Sequence, residues 1–353
     1  MATAANPVGV VVIGRNEGER LRRCLESVVN QAAAVVYTDS GSTDGSVALA
    51  ESLGVEVVEL DLSVLFTAAR ARNEGFARLQ QVLPEVAYVQ MIDGDCEVVE
   101  GWLETAVAYL EANPKFAVAC GRRRERFPDA TVYNRLADME WDTPVGMARS
   151  CGGDALFRSE ALREVDGYNP AVIAGEEPEM CVRLRQAGWL IERLDAEMTL
   201  HDANMTRFSQ WWKRNVRAGH AYAQGAHMHG KTDGHNVKQV RSILAWGLAL
   251  PVSIYLLLMA SQVMLIAGWP HVSIPGQIAA ALLLLYPLMA AKIALYRRRL
   301  SDRFRDAVTY AGFTMLGKLP NAIGVCKFHW NRIRNKQSTL IEYKPPATSE
   351  APA

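Results

Sequence analysis

Two carboxylates flank a glycine in Met91-Ile92-Asp93-Gly94-Asp95-Cys96, directly after the apolar run at 86–92. A buried strand that ends in two acids delivers both to the open edge of a sheet, where water and ligands reach them. With a flexible Gly94 between them, Asp93 and Asp95 can grip one hard divalent cation together with a diphosphate. The same triplet is also an ordinary turn that ends a strand, and Asp-x-Asp alone does not separate the two. A second acidic group, Glu176-Glu177-Pro178-Glu179, precedes a helical pattern. Pro178 disfavours helical conformation at Glu177, so that residue is expected to project from a loop or to cap the helix. The plainer account is negative charge favouring a helix N-terminus.

The elements that must position these acids alternate. A β-branched run at 8–13 predicts a first strand, and the polar turn Gly14-Arg15-Asn16-Glu17 follows it. Leu21, Cys24, Leu25, Val28 and Val29 recur at helical spacing. A short strand at 34–38 ends in the turn-rich loop at 39–45, which leads into a helix over 46–53. A third strand at 55–60, a helix at 67–83, the strand carrying Asp93 and Asp95, a helix at 100–113 and a strand at 116–120 continue the alternation. Such alternation argues an α/β fold with a mostly parallel, Rossmann-like sheet flanked by helices. Ligands of such sheets bind beyond the carboxyl ends of the strands, where the loops at 14–17, 39–45 and 93–95 all fall. Beyond Cys120 the pattern changes. The basic run at 121–126 could edge the site but reads by default as a solvated strand, residues 131–149 as helical, 159–165 and 180–187 as helices, and 189–194 and 198–201 as two short strands.

Of the 353 residues, 50% are hydrophobic and 22% charged, enough for a sizeable core. A formal net charge of zero gives no argument for nucleic acid. That zero hides an asymmetry, because carboxylates concentrate before about position 202 and the C-terminal third is rich in Arg and Lys. Six dispersed cysteines without a C-x-x-C pair indicate neither a zinc site nor a disulfide framework, and fit a reduced, cytosol-facing body. Residues 1–7 lack the features of a signal peptide.

From Ser242 to Ala291 no Asp, Glu, Lys or Arg occurs. One membrane span needs about 20 apolar residues, so this run predicts two, broken near Gly268-Trp269-Pro270-His271 and Pro275-Gly276. Lys238 and Arg241 before it, and Lys292 and Arg297-Arg298-Arg299 after it, place both ends in the cytoplasm and the turn outside. The Trp- and Arg-containing segment at 207–217 suits a membrane interface. Residues 303–334 are read as an interfacial or re-entrant helix pair, anchored by Phe328 and Trp330. The expected organisation is a catalytic domain over 1–205, an interfacial region over 206–240, a transmembrane hairpin over 241–300, interfacial helices over 301–343 and a disordered tail over 344–353. His220, His227 and His229 are expected at a surface or interface.

Together these pieces resemble an established family. Val10-Val11-Val12-Ile13-Gly14-Arg15-Asn16-Glu17 is similar to the opening strand and Asn-Glu turn of inverting family 2 glycosyltransferases with the GT-A fold. Asp39-Ser40-Gly41-Ser42-Thr43-Asp44-Gly45 resembles their Asp-Asp-Gly-Ser-Thr-Asp-Gly loop, with Ser40 in place of the second Asp. Ala71-Arg72-Asn73-Glu74-Gly75 and Asp93-Gly94-Asp95 match two further motifs. Gly152-Gly153, Leu156-Phe157-Arg158 and Val165-Asp166-Gly167-Tyr168 resemble the acceptor-side segment, and Glu176-Glu177 stands where the family has Glu-Asp. The resemblance runs colinearly over about 8–220, far more specific than any single motif.

The resemblance implies a GT-A domain with a C-terminal α-helical membrane-anchoring region. It also implies transfer of a single sugar from a nucleotide-sugar, with UDP the expected nucleotide, using Mn2+ or Mg2+. By the same resemblance Asp95 binds the metal, Asp93 contacts the ribose or assists the metal, and His201 is a further candidate metal ligand or phosphate contact. Asp39 and Ser40 read the base, Arg15, Asn16 and Glu17 lie along the nucleoside, and Arg72, Asn73 and Gly94 complete the donor site. Gly152, Gly153 and Asp154 form the loop at acceptor and donor sugar. Glu177 is the base with Glu176 as helper, and the change from Glu-Asp to Glu-Glu leaves open which of them reaches the acceptor. The implied partners are the nucleotide-sugar, a lipid-linked or glycan acceptor and membrane lipids, at the cytoplasmic face of the inner membrane. Two rival readings are a non-catalytic nucleotide-binding scaffold and a phosphatase of the haloacid dehalogenase type. The latter carries its acidic motif at the first strand, whereas here it follows the fourth.

Overall fold

The computed structural model describes residues 7–64, 67–269 and 273–336. It divides between Arg207 and Phe208 into two compact units. The first contains a nine-stranded mixed sheet with the order β3-β2-β1-β4-β8-β6-β9-β5, and β7 pairs with β9. Its strands are β1 (Val8–Gly14), β2 (Ala34–Asp39), β3 (Glu56–Glu59), β4 (Tyr88–Asp93), β5 (Cys96–Val98), β6 (Phe116–Glu125), β7 (Gly146–Met147), β8 (Ala155–Arg158) and β9 (Leu190–His201). The first four strands run parallel, and β8 enters antiparallel between β4 and β6. Val10, Val11, Val12, Val89, Met91 and Ile92 have no exposed surface, as expected of central strands covered on both faces. The flanking helices of this unit are α1 (Glu19–Glu26), α2 (Ser46–Ser52), α3 (Ala68–Val82), α4 (Trp102–Ala112), α5 (Val132–Trp141), α6 (Ser159–Glu164) and α7 (Glu176–Gln186).

Register explains the convergence of the loops. Gly14 pairs with Asp39 and Ile13 with Asp93, so β1, β2 and β4 finish level with one another. The chain runs outward from β1 to β3 and returns to β4 on the other side of β1. That makes the β1/β4 edge the switch point at which such sheets open a ligand crevice.

Four local expectations are corrected. The helix expected over 131–149 stops at Trp141, because Pro144 biases Thr143 away from helix and Gly146 (φ 104°) turns the chain into β7. The two strands expected at 189–194 and 198–201 are one, β9, whose pairing with β6 shifts register through irregularities near Cys120 and Arg122. Glu177 is helical: α7 begins at Glu176 after Gly175 (φ 79°). In a first turn the N–H groups have no partner within the helix, so Pro178 removes no bond there. The basic run at 121–126 is the end of β6 and is not simply solvated, since the Arg123 side chain is only 15% exposed.

The second unit is helical: α8 (Phe208–His229), α9 (Val237–Leu244), a π-helical turn (Ala245–Ala249), α10 (Leu250–Ile266), α11 (Ser273–Leu283), α12 (Leu285–Arg299) and α13 (Phe304–Ile333). Val237–Ile266 and Ser273–Arg299 are each long and apolar enough to cross a membrane, with 11% and 6% of their apolar windows buried. The turn expected outside the membrane at Pro270-His271, and the tail over 344–353, lie outside the described residues. Pro275-Gly276, expected to break the apolar run, lies inside α11. The helix pair expected over 303–334 is a single helix, α13, which continues through Pro320. Gly317 and Gly324 are contact points rather than breaks. A Cβ at Gly324 would lie 2.1 Å from the Val216 carbonyl oxygen, and one at Gly219 would lie 2.0 Å from that of Asn321. Small residues let the α8 and α13 backbones approach closely. His220, expected at a surface or interface, is buried in this contact and meets the Phe328 ring edge-on at 5.3 Å. Gly324→Ala is expected to cost about 1–3 kcal/mol through overpacking. Gly312→Ala, where an added Cβ meets nothing within 4 Å, leaves thermal stability unchanged or raises it. Equal melting temperatures for the two variants in detergent would refute this close packing.

Candidate active site

The acid pair separates into two different environments. Asp95 is 4% exposed and begins the turn into β5. β5 pairs antiparallel with β9, and the register sets Cys96 opposite His201. This places His201 Nε2 at 3.1 Å from Asp95 Oδ2. The Cys96 thiol donates to Asp95 Oδ1 at 3.6 Å. Trp141 covers the imidazole with its ring centroid at 4.5 Å, and the Arg123 guanidinium in turn lies 5.5 Å from the Trp141 centroid. Burial, with the nearby Arg123 charge, pushes His201 down to about 4, so its imidazole is neutral near pH 7. His201 Nδ1 is buried without a hydrogen-bond partner. A carboxylate beside a neutral imidazole suits Mn2+ or Mg2+ when phosphate oxygens and water complete the shell. The Cys96 thiol does not fit that set, because burial raises its pKa well above normal and keeps it protonated. The residues present therefore fit a divalent ion through Asp95 and His201.

Asp93 lies outside that pair. Its Oδ1 accepts from Arg72 Nη2 at 2.7 Å, and Arg72 Nη1 donates to Glu176 Oε1 at 2.6 Å. Arg72 is 2% exposed and lies 5.4 Å from the Tyr168 ring centroid. Burial opposes its charge, but Asp93 and Glu176 outweigh that cost and hold it above its ordinary value. Asp154 is fully buried rather than exposed in a loop. It accepts the Asp93 N–H at 3.2 Å and the Thr199 hydroxyl at 2.9 Å, and pairs with Arg123 at 2.8 Å. It thus ties the end of β4 to β6 and β9. Beside it, a Cβ on Gly153 would come within 3.0 Å of Arg123 and 3.1 Å of Asp93. A side chain there would crowd both charged groups.

The nucleoside-side loops hold each other. The Asn16 N–H donates to Ser42 Oγ at 2.9 Å, and Asn16 Oδ1 accepts from the Thr43 N–H at 2.7 Å. The Ser40 N–H donates to the Gly14 carbonyl at 3.0 Å. Asp39 is 1% exposed; it accepts from the Tyr37 hydroxyl, the Gly41 N–H and the Ser42 N–H at 2.7–2.8 Å. Its carboxylate shapes its own loop. Arg15 is exposed, and Glu17 pairs with Arg20 at 2.8 Å. Asn73, expected to face the donor, instead exchanges hydrogen bonds with the Tyr168 backbone at 2.6 and 2.8 Å. It fastens α3 to the turn at 166–168.

The two adjacent glutamates diverge. Glu176 is committed to Arg72. Glu177 is 5% exposed, and its Oε1 accepts the Cys151 N–H at 2.6 Å, the Cys151 thiol at 3.1 Å and the Cys181 thiol at 3.0 Å. Burial raises the Glu177 pKa against these donors, and the Glu176 charge adds to the rise. Trp141, Cys151 and Cys181 escape sequence reasoning. Each reaches the site through long-range packing, without a local motif.

Residues 9–165 match the model of the glycosyl transferase family 2. A pre-mycofactocin glycosyltransferase of Mycobacterium tuberculosis is 24% identical over 255 residues, covering 68% of this chain and 52% of that protein. Glycosyltransferase AglE of Haloferax volcanii is 23% identical over 230 residues, covering 62% of this chain and 73% of that one. The chain thus spans about half the length of the first of these relatives. A solved mannosyltransferase from Pyrobaculum calidifontis, in complex with GDP-Man and Mn2+, shares the fold. Its TM-score is 0.60 at 19% identity, over 93% of this chain and 89% of that one. The sheet and this likeness show a GT-A fold. The similarity to glycosyl transferase family 2 runs through residues 9–165.

Arg72 is the test of the network. Arg72→Met leaves Asp93 and Glu176 without their shared cation and is expected to destabilise the first unit by about 3–5 kcal/mol, read as a lowered urea midpoint. Arg72→Lys recovers only part, because an ammonium lacks the fork that spans two carboxylates. A midpoint unchanged by Arg72→Met contradicts the assignment.

Proposed function

We propose that the protein transfers a single sugar, with inversion, from a nucleotide-sugar to a membrane-associated acceptor, and requires Mn2+ or Mg2+ bound through Asp95 and His201. The observation that carries this reading is the buried Asp95–His201 pair, 3.1 Å apart, beside the Arg72-bridged acids at the switch point of the sheet. A bound divalent ion would offset the charge that grows on the diphosphate leaving group. The interlocked loops at 14–18 and 39–45 would hold the nucleoside, with Asp39 keeping the base-side loop in shape and Ser40, Arg15, Asn16, Glu17 and Gly94 around it. Gly152 and Gly153 would let the sugar approach Asp93.

Inversion needs a base opposite the leaving group. Glu176 is neutralised by Arg72 and acts as a positioning residue. Glu177 fits the base better, because burial raises its proton affinity while three donors hold Oε1. Oε2 then takes the acceptor hydroxyl's proton as the oxygen attacks the anomeric carbon. The bond from that carbon to the diphosphate oxygen breaks, and the diphosphate leaves with the electron pair.

The helices over Val237–Ile266 and Ser273–Arg299 support a membrane location, with the cytoplasmic face of the inner membrane as the expected site. They favour a polyprenyl-linked, glycolipid or exopolysaccharide acceptor. UDP-sugars are the expected donors. The Pyrobaculum calidifontis enzyme was solved with GDP-Man, which makes GDP-sugars the comparison.

Detergent-purified protein with Mn2+ should be stabilised by one class of nucleotide-sugar, since a ligand at a hundred times its Kd adds about 2.7 kcal/mol. Asp95→Ala should abolish the metal-dependent part of that shift, and full transfer activity in this variant would sink the metal assignment. Glu177→Gln should lower kcat by about 10²–10⁴ with donor affinity retained. Because its raised pKa delays ionisation, the acid limb of the wild-type kcat/KM profile should lie above the ordinary glutamate value of about 4.3. An acid limb at or below that value, or unchanged turnover in Glu177→Gln, moves the base elsewhere.

A further inference from the structure

Cys151, Glu177 and Cys181 are distant in sequence but form one buried cluster. The two sulfurs lie 3.7 Å apart, and Glu177 Oε1 is 3.1 Å from one and 3.0 Å from the other. The three donor atoms could share one ion. In a tetrahedral zinc site, Zn–S bonds of about 2.3 Å set two thiolates roughly 3.8 Å apart. The observed sulfur separation therefore already matches a bound state. Two thiolates and one carboxylate are a soft set that selects Zn2+ or Cd2+ over Mg2+ or Mn2+. The catalytic-side pair, Asp95 and His201, has the opposite preference.

We propose that Cys151, Glu177 and Cys181 form a second metal site, selective for Zn2+ or Cd2+ and distinct from Asp95–His201. Three protein donors leave one coordination position open for water, unlike a closed structural site. Binding is proton-coupled: both thiols deliver their protons to solvent, and the ion gains two Sγ–metal bonds and one Oε–metal bond. No oxidant or reductant is involved. Burial keeps both thiols protonated in the free protein. Two protons released per ion make the apparent Kd fall about a hundredfold per pH unit in that range. A bound ion also withdraws Glu177 from proton transfer. This inhibitory consequence rests on Glu177 being the base, whereas the binding does not.

The test uses the full chain in detergent with Mg2+ in excess, titrated with Cd2+ and followed by thiolate-to-cadmium charge-transfer absorbance. One equivalent is expected to bind in the wild type and in Cys96→Ala, and none at this affinity in Cys181→Ala. Should Cys181→Ala fail to fold, X-ray absorption of the Zn2+-loaded wild type decides. Two sulfur neighbours support the site. One sulfur with an imidazole places the ion at Cys96 and His201 and overturns it, as does loss of the signal in Cys96→Ala or a Kd that does not change with pH. Zinc loading at two sulfurs with undiminished transfer supports the site and overturns the base assignment instead.

Discussion

The Arg72 guanidinium is the constraint on which the site depends. It is almost fully buried and has two carboxylate partners, Asp93 at the end of β4 and Glu176 at the start of α7. A buried cation without partners is prohibitively costly, and so are the acids if left alone. Strand end, helix start and α3 must therefore meet in one geometry. That meeting puts Glu177 one residue from the anchor and brings Asp154 and Gly153 against Asp93. The second fastening is the β5/β9 register, which sets His201 against Asp95. Together the two give the acids separate roles. Asp93 and Glu176 hold a cation of the protein itself, whereas Asp95 lies against His201 and Glu177 against Cys151 and Cys181.

Much of this order is legible in the sequence. Parallel strands buried on both faces read as continuous apolar runs, so β1, β2 and β4 and the helices between them stand out. The edge where Gly14, Asp39 and Asp93 end together follows from that alternation alone. Legibility falls where long-range pairing decides. Asn73 carries the chemistry of a ligand contact, but the Tyr168 backbone claims both ends of its amide. Asp154 reads as a loop acid, yet Arg123 and Thr199 draw it into the interior. Cysteine spacing indicates no cluster, since Cys151 and Cys181 meet only through the packing of α7 behind the glycine loop. Glu177 is helical despite preceding Pro178, because a proline in the first turn removes no helical hydrogen bond and the Arg72–Glu176 and Cys151–Glu177 contacts fix the start of α7.

The helical unit shows the same limit. Gly312, Gly317, Pro320 and Gly324 look like punctuation in a soluble protein. In α13 they lie within one thirty-residue helix, and Gly324 is a place where α8 comes backbone to backbone. Apolar length is read directly from composition, whereas the purpose of a small residue depends on what packs against it.

The central claim is that Asp95 and His201 bind the ion that a nucleotide diphosphate requires. An experimental structure of the protein with Mn2+ and its nucleotide diphosphate, with anomalous scattering recorded at the manganese edge, tests it most directly. The account predicts one strong manganese peak within bonding distance of Asp95 and His201 and of the diphosphate oxygens. A diphosphate bound there without manganese, or a manganese peak confined to other residues, contradicts it.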